Sequence, residues 1–278
     1  MRQRILSGAV LVLFFAALVV FNRSFPLGLN IVVALISATS VFELVKALGL
    51  SRKWFLCGPS LLTAAAVPFC NNDFEFVVYC LFTLVVFSAM IVYHKETTFK
   101  EVGMLYSMVV LIPSALQTLV SLRDLSENHG MFYVLIAVLS AWVADAGAYF
   151  AGTFFGKHKL CPTISPKKTV EGAIGGVLGT MVFGVLVTVI YSIAADRMEE
   201  FTRSNIGVSM YVIIALLACV AAVLGIYGDL FASVVKRQCG IKDYGTIFPG
   251  HGGILDRFDS VMFIAPFVTM VVIAAFYN

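Results

Sequence analysis

The sequence predicts an all-α polytopic membrane protein with about nine transmembrane helices, its amino terminus in the cytoplasm and its carboxyl terminus outside. Of the 278 residues, 60% are hydrophobic and only 13% are charged. In soluble domains roughly a quarter of all residues are charged. The apolar residues form long uninterrupted runs. Most of the basic residues fall in the loops on one side of the membrane that these runs would cross. These three observations exclude an ordinary soluble domain.

Nine apolar runs approach or exceed the length of about 17 to 25 residues that crosses a bilayer. They cover residues 5–21, 27–48, 55–70, 76–93, 103–121, 131–155, 173–194, 208–233 and 260–277. The third run is short and contains Gly58, Pro59 and Pro68, so periodicity alone leaves an eight-span alternative open. The first run lacks a small-residue cleavage site, which favours a retained span over a signal peptide.

Loop charge favours nine spans. Lys and Arg in short loops stay on the cytoplasmic side. When alternate loops are sorted from Arg2 and Arg4 onward, 15 of the 19 basic residues fall on one side and the remaining four on the other. Omitting the third run would mix the two groups. The basic face suits anionic headgroups or nucleotide phosphates, although a topology signal alone also explains it.

The two parts of the chain differ in the polar residues of their spans. Residues 1–125 contain almost no ionisable group within a span, apart from Glu43 near a predicted cytoplasmic end. We predict that this part is a transmembrane scaffold of about five spans. Residues 126–278 are predicted to carry the chemistry, with cytoplasmic loops at 156–172 and 234–259. Neither loop is long enough to form a soluble domain, so any site must be built from helix ends and loops.

Two spans of the second part contain a carboxylate, which costs roughly 2.5–3.5 kcal/mol at a helix centre even on the most lenient scale. Asp145 shares a predicted helix face with Tyr149. Asp229 lies near a predicted cytoplasmic end, with Ser233 and either Lys236 or Arg237 on the same stripe. A hard cation beside Asp229 fits this pattern. A buried hydrogen bond or ion pair between helices explains either aspartate equally well, and the residues leave that alternative open.

Small residues open the seventh predicted helix. Gly172, Gly175, Gly176 and Gly179 recur at spacings of three and four, which lets another backbone approach closely. Packing against a neighbouring helix of the same chain is the favoured interpretation. A homodimer face is the alternative.

The densest polar segment runs from Ser233 to Asp259. Its glycines and Pro249 let the backbone turn tightly and approach a ligand. Its basic side chains can neutralise phosphate oxygens, and they are Lys236, Arg237, Lys242 and Arg257.

A magnesium site is predicted from the carboxylates around this segment. Mg²⁺ takes one or two protein carboxylates and completes its shell with water and substrate phosphates. Asp256 and Asp259, three residues apart at the start of the last predicted helix, are candidate ligands. Asp229 and Asp256, from the two helices that flank the segment, can supply the one or two carboxylates. The residues also leave open a two-metal site, with a second cation such as K⁺ beside Mg²⁺. The six cysteines form no CxxC pair and no zinc spacing.

A second polar segment precedes the seventh helix. Ser165, Lys167 and Lys168 stand just before its first turn, where free backbone N–H groups favour an anion. Basic loops are expected on this side in any case, so this signal is weak by itself.

The segment from Ser233 to Asp259 reads S-x-x-K-R-x4-K-D-x-G-x-x-x-P-G-H-G-G-x-x-D-R-x-D and resembles the signature of the phosphatidate cytidylyltransferase family. A second stretch, D-x-x-A-Y-x-x-G-x-x-x-G-K from Asp145 to Lys157, is followed by S-P-K-K-T-x-E-G from Ser165 to Gly172 and agrees with the same family. The resemblance covers residues 145–260 by motif. The first five spans resemble the family only in being hydrophobic.

The resemblance implies a reaction in which CTP and phosphatidic acid give CDP-diacylglycerol and pyrophosphate with Mg²⁺, on the cytoplasmic side of the cell membrane. It implies no nucleic-acid partner. Residues with an implied catalytic role are Asp229, Asp256, Lys236, Arg237, His251 and Arg257, with Asp229 and Asp256 as metal ligands. Residues with an implied substrate-binding role are Asp145, Tyr149, Ser165, Lys167, Lys168, Glu171, Ser233, Lys242, Asp243, Gly252, Gly253 and Asp259. For His251, stabilising its own loop is the alternative.

A transporter of an anionic or phosphorylated solute is the main functional alternative, because it would also place ionisable groups in spans. The two halves of the sequence show no inverted repeat and no matched pair of broken helices. A CDP-alcohol phosphotransferase would need a D-G-x-x-A-R motif, and the sequence contains none.

Overall fold

A computed structural model describes residues 17–19, 21–197, 208–246 and 252–276. Nearly all regular structure in these ranges is helical, so the predicted all-α class is confirmed. The helices are α1 Leu27–Ala47, α2 Trp54–Ala66 with a 3₁₀ turn Val67–Phe69, α3 Asn72–Val92, α4 Phe99–Asp124, α5 Gly130–Phe155, α6 Val170–Arg197, α7 Val208–Gln238, α8 Leu255–Phe258 and α9 Val261–Phe276.

Seven helices of the described ranges are long and apolar enough to cross a membrane, and the shorter apolar helix Trp54–Phe69 matches the weak third run. The first predicted span, 5–21, lies almost entirely outside the described residues. The chain is therefore a multi-pass membrane protein, while the count of nine and the orientation of the termini stay predictions.

Helix is the expected state of these runs, because a bilayer offers no partner for an unpaired backbone group. Where the runs break, local capping takes over. The side chain of Asn71 accepts a hydrogen bond from the backbone N–H of Phe74 at 3.1 Å, so α3 begins there. Pro59, Pro113 and Pro266 lie inside helices, which spanning helices tolerate better than soluble ones.

The chain divides into two compact units that differ from a simple division into halves. The first unit combines residues 1–120 with residues 235–258, and the second combines 121–234 with 259–278. Helix α7 contributes to both units. The end of α7 and the segment before α9 thus belong with the amino-terminal helices, whereas residues 208–234 belong with α5 and α6. The sequence-based division at residue 125 concerns function and stays a prediction.

One element was not anticipated. In place of a plain loop, residues 159–161 (β1) and 165–169 (β2) form a two-stranded antiparallel hairpin, with Lys159 opposite Thr169 and Cys161 opposite Ser165. The side chain of Thr169 then accepts the backbone N–H of Gly172 at 3.1 Å, which caps α6. The hairpin therefore delivers the basic residues of β2 directly to the start of α6.

The glycines at the start of α6 are used for packing within the chain, as favoured from the sequence. An added Cβ at Gly172 or Gly176 would lie 2.8 Å from the carbonyl oxygen of Ala148 or Ala144 of α5. At Gly175 it would overlap the Cβ of Ala151. Small side chains thus let α5 and α6 approach to backbone contact.

Candidate active site

The second unit contains a cavity of about 340 Å³ between α5, α6, α7 and the hairpin. Asp145 and Tyr149 line it from α5, and Lys167 and Lys168 line it from β2. Gly152 and Gly172 also line the cavity, so its wall is widened where the two helices carry no side chain. The structure thus brings together four of the residues predicted to bind substrate, in a cavity with a basic rim and an aromatic wall.

Asp229 of α7 forms an ion pair with Lys168 of β2, and each side chain is 25% exposed. Asp229, the carboxylate identified from the sequence, is therefore neutralised by a basic residue of the second polar segment. Two half-buried charges of opposite sign stabilise each other better than two exposed ones, because the surrounding dielectric is lower. The pairing places a carboxylate and an ammonium group at one point near the end of a spanning helix.

Glu171, in the first turn of α6, forms hydrogen bonds with the residues just before the hairpin. Its carboxylate accepts the backbone N–H of Lys157 at 3.1 Å and that of His158 at 3.2 Å, and it contacts Nδ1 of His158 at 2.6 Å. A carboxylate in the first turn is also favoured by the helix dipole. The predicted substrate-binding role of Glu171 stays a prediction, and the contacts assign it a structural one.

In the first unit, Asp256 at the start of α8 is enclosed by donors. Its Oδ1 accepts from Nζ of Lys236 at 2.7 Å, and its Oδ2 accepts the backbone N–H groups of Tyr244 and Gly253, each at 2.9 Å. The Asp256 side chain is 4% exposed and that of Lys236 is 10% exposed. Nζ of Lys236 also lies 5.5 Å from the centre of the Tyr244 ring. The aspartate and the lysine are thus held in a single geometry.

The glycines of this segment have distinct local reasons. Gly252 has φ +85°, which is a left-handed conformation, and an added Cβ there would lie 2.9 Å from Oδ2 of Asp256. An added Cβ at Gly245 or Gly253 would overlap the carboxylate of Glu43. The missing side chains therefore make room for two carboxylates of the chain itself.

The remaining predicted site residues are spread more widely. Arg237 donates through Nη1 to the carbonyl oxygen of Ile241 at 3.3 Å, and Lys242 and Asp243 are exposed. Arg257 is partly buried, and its Nε has no hydrogen-bond partner among the described residues. Ser165 pairs with Cys161 in the hairpin. His251 lies outside the described residues.

Two further predicted residues are buried in the second unit. Ser233 on α7 is 8% exposed. Asp259 is 4% exposed, and its Oδ1 accepts the backbone N–H of Ser260 at 2.7 Å. The Ser260 hydroxyl donates to the carbonyl oxygen of Gly225 at 3.0 Å. This contact joins the start of α9 to α7 on the stretch that carries Asp229.

The described side chains offer isolated carboxylates rather than a zinc-type cluster. Within the described ranges, no group of three or more His, Cys, Asp or Glu side chains converges as a metal-binding cluster. A structural zinc site needs such a cluster, whereas Mg²⁺ uses one or two carboxylates and takes its other ligands from water and phosphates. Asp229 and Asp256 are carboxylates of this kind, each is paired with a lysine, and their binding of Mg²⁺ stays a prediction. Cys239, after the end of α7, is partly buried, and burial raises the pKa of its thiol, so it stays protonated.

Sequence reasoning missed two site features. Lys168 forms an ion pair with Asp229, a partner that the sequence does not indicate, while its substrate-binding role stays a prediction. Glu43, which was assigned to the scaffold, accepts backbone N–H groups from the start of α8. An isolated carboxylate in a long apolar run was the available signal, because such a residue must find a partner.

The fold defines a multi-pass membrane protein, and its second unit carries a basic hairpin beside a cavity. The model of the cytidylyltransferase family matches residues 2–275, and the chain belongs to that family. The resemblance drawn from the two motifs is thereby confirmed.

Named relatives agree with the family. A phosphatidate cytidylyltransferase of Bacillus subtilis is 33% identical over 276 residues, which cover 96% of each chain. Proteins with the same name from Staphylococcus saprophyticus and Staphylococcus epidermidis are 40% and 43% identical over 148 residues. Those two matches cover 53% of this chain and 52% of each relative.

Proposed function

We propose that the protein is a phosphatidate cytidylyltransferase that transfers CMP from CTP to phosphatidic acid on the cytoplasmic side of the cell membrane. The observation that carries the proposal is the match to the Bacillus subtilis relative along 96% of both chains. The site supports it, because two lysine-paired aspartates and a basic hairpin suit a reaction between two polyanions. Transport of an anionic solute, the alternative, is not favoured by these comparisons.

In the proposed reaction, a phosphate oxygen of phosphatidic acid attacks the α-phosphorus of CTP. The bond between that phosphorus and the α–β bridging oxygen breaks, and pyrophosphate leaves with the electron pair. The attacking oxygen is already anionic near neutral pH, so positioning and charge neutralisation matter more than a general base. Magnesium, when bound, neutralises charge on the reacting phosphates.

The residues of the chain have distinct proposed roles. Asp229 and Asp256 are the carboxylates for Mg²⁺, and their sharing of one ion stays a prediction. Lys168 and Lys236 hold these carboxylates in place and present ammonium groups to phosphate oxygens. The cavity bounded by Asp145 and Tyr149 is proposed to receive substrate.

Other residues are proposed to contact substrate phosphates directly. Arg257 is partly buried, and its guanidinium is proposed to donate to a substrate phosphate. Lys167 and Lys242 are exposed cations that suit the same task. A hydrogen bond from His251 to the leaving group and a homodimer both stay predictions.

The experiment is an assay of the purified protein in detergent with radiolabelled CTP and phosphatidic acid. We expect labelled CDP-diacylglycerol and an equal amount of pyrophosphate with Mg²⁺, and neither product after chelation by EDTA. Omission of phosphatidic acid is the control for CTP hydrolysis. Folded protein that makes no CDP-lipid under these conditions would contradict the proposal, and parallel reactions with dCTP and with an ether-linked lipid phosphate define its selectivity.

A further inference from the structure

Glu43 is a buried carboxylate of α1 that the proposed reaction leaves unused. It is 3% exposed, although it belongs to an apolar spanning helix near the start of the chain. A buried carboxylate is costly unless donors surround it. Its burial therefore indicates a specific contact.

The contact is with the start of α8, more than two hundred residues later in the chain. Oε1 of Glu43 accepts the backbone N–H of Ile254 at 3.1 Å, and Oε2 accepts that of Leu255 at 2.9 Å. Both oxygens are thus occupied by consecutive N–H groups. At a helix start, such groups have no intrahelical partner and need an external acceptor.

The same short turn holds Asp256. The N–H of Gly253 donates to Oδ2 of Asp256, and the next two N–H groups along the chain donate to Glu43. Three consecutive backbone donors are therefore divided between two carboxylates. Because the carboxylates of Asp256 and Glu43 accept hydrogen bonds from the same stretch of backbone, the position of Asp256 depends on Glu43.

Two glycines make this arrangement sterically possible. A side chain at Gly245 or Gly253 would overlap the Glu43 carboxylate, and an added Cβ at Gly245 would also lie 3.2 Å from the Cα of Gly253. The backbone on both sides of residues 247–251 thus closes around Glu43. This closure gives a physical reason for glycine at these two positions that is independent of any bound substrate.

We infer that Glu43 is a positioning residue for Asp256: it fixes the 253–256 turn and thereby the aim of the carboxylate proposed to bind Mg²⁺. The amino-terminal helices then contribute to the site rather than serving only as scaffold. The role of Asp256 rests on the proposed function, whereas the contact of Glu43 with the turn does not.

The test compares Glu43→Gln with Glu101→Gln in the full-length protein. Both changes remove one carboxylate charge from the first unit, but Glu101 contacts Lys53 and Thr98 rather than the turn. In Glu43→Gln an amide NH₂ faces a backbone donor, so one of the two hydrogen bonds is lost. Hydrogen exchange of the peptide that contains residues 252–258 should be faster in Glu43→Gln and unchanged in Glu101→Gln.

The second readout is the Mg²⁺ concentration for half-maximal CDP-lipid formation, measured on monodisperse protein. We expect it to rise in Glu43→Gln by roughly 10- to 100-fold, the usual effect of removing a group that orients a metal ligand. The control should match the wild type. A role confined to stability would lower the melting temperature and leave this concentration unchanged.

Exchange at the wild-type rate in Glu43→Gln, or an unchanged Mg²⁺ requirement, would overturn the inference. If Glu43→Gln does not fold, Glu43→Asp takes its place, and its shorter carboxylate should shift both readouts in the same direction to a smaller extent. If the wild type makes no CDP-lipid, the proposed function fails, and the exchange measurement alone still decides whether Glu43 holds the turn.

Discussion

Each of the two proposed metal-binding aspartates is paired with a lysine from another segment. Asp229 meets Lys168, and Asp256 meets Lys236. Removing one member of a half-buried pair leaves the other charge without compensation, which costs more than the pair itself contributes. Loss of the acid and loss of the base are therefore both expected to destabilise a pair, and only loss of the acid also removes a proposed metal ligand.

Asp229→Asn should abolish most turnover while the protein stays folded, because asparagine keeps the size of the side chain and loses the charge for Mg²⁺. We expect CDP-lipid formation to fall by about 10²-fold or more, as for removal of one preorganised charge-stabilising group. Asp124→Asn is the matched control, since Asp124 is 60% exposed and pairs with its neighbour Arg123. Near-normal turnover of purified, monodisperse Asp229→Asn would exclude Asp229 as a metal ligand.

At the scale of single residues, the sequence was informative wherever a charge was improbable. Asp145 and Asp229 were identified because carboxylates are rare in spans, and the structure places Asp145 on a cavity and Asp229 in an ion pair. Their partners were not predictable. The choice between Lys167 and Lys168 depends on the register of the hairpin, and no local pattern encodes it.

The helices α5 and α6 are the elements that set the shape of the cavity. Their close approach depends on the glycines of α6, and the tolerance for a methyl group differs sharply along this stripe. An added Cβ at Gly175 overlaps Ala151, whereas an added Cβ at Gly179 has its nearest neighbour at 3.9 Å, an ordinary contact. The stripe is therefore not uniform, although the sequence spacing makes its members look equivalent.

Gly175→Ala should destabilise the protein and Gly179→Ala should not, because only the first forces the two helices apart. Overpacking of this kind costs about 1–3 kcal/mol, while alanine is otherwise the better helix former. The melting temperature in detergent measures the difference between the two variants. Equal melting temperatures would show that α5 and α6 do not approach as closely at Gly175 as described.

At the scale of elements, most helices could be predicted and the hairpin could not. Apolar runs of membrane-spanning length leave the backbone little choice other than helix, so α1 and α3–α7 follow the sequence closely. The hairpin forms in a polar segment, where an isolated two-stranded pair is marginal. Glu171 supports the hairpin by accepting hydrogen bonds from the backbone of Lys157 and His158, which lie more than ten residues earlier in the chain. Contacts between residues so far apart leave no periodic signal in the sequence.

At the scale of the whole molecule, the two compact units cut across the order of the chain. The segment that follows α7 belongs to the unit of the amino-terminal helices, and Glu43 provides the chemical reason. The sequence predicted a functional second part because the unusual residues cluster there. It could not reveal that a carboxylate from the first part contacts the turn at Asp256, since this pairing spans more than two hundred residues.

The predicted orientation of the chain in the membrane follows from the distribution of its basic residues. It decides on which side of the membrane the protein would bind CTP. Lys95 lies in the turn after α3, and Glu127 lies between α4 and α5; both are exposed. They are separated by the single spanning helix α4, so they should face opposite sides of the membrane.

With Lys95→Cys and Glu127→Cys in a cysteine-free background, a membrane-impermeant maleimide added to intact spheroplasts should label only residue 127, because basic loops stay inside. Lysis should then expose residue 95 as the internal control. Labelling of residue 95 before lysis would invert the topology and place the hairpin on the side that lacks CTP.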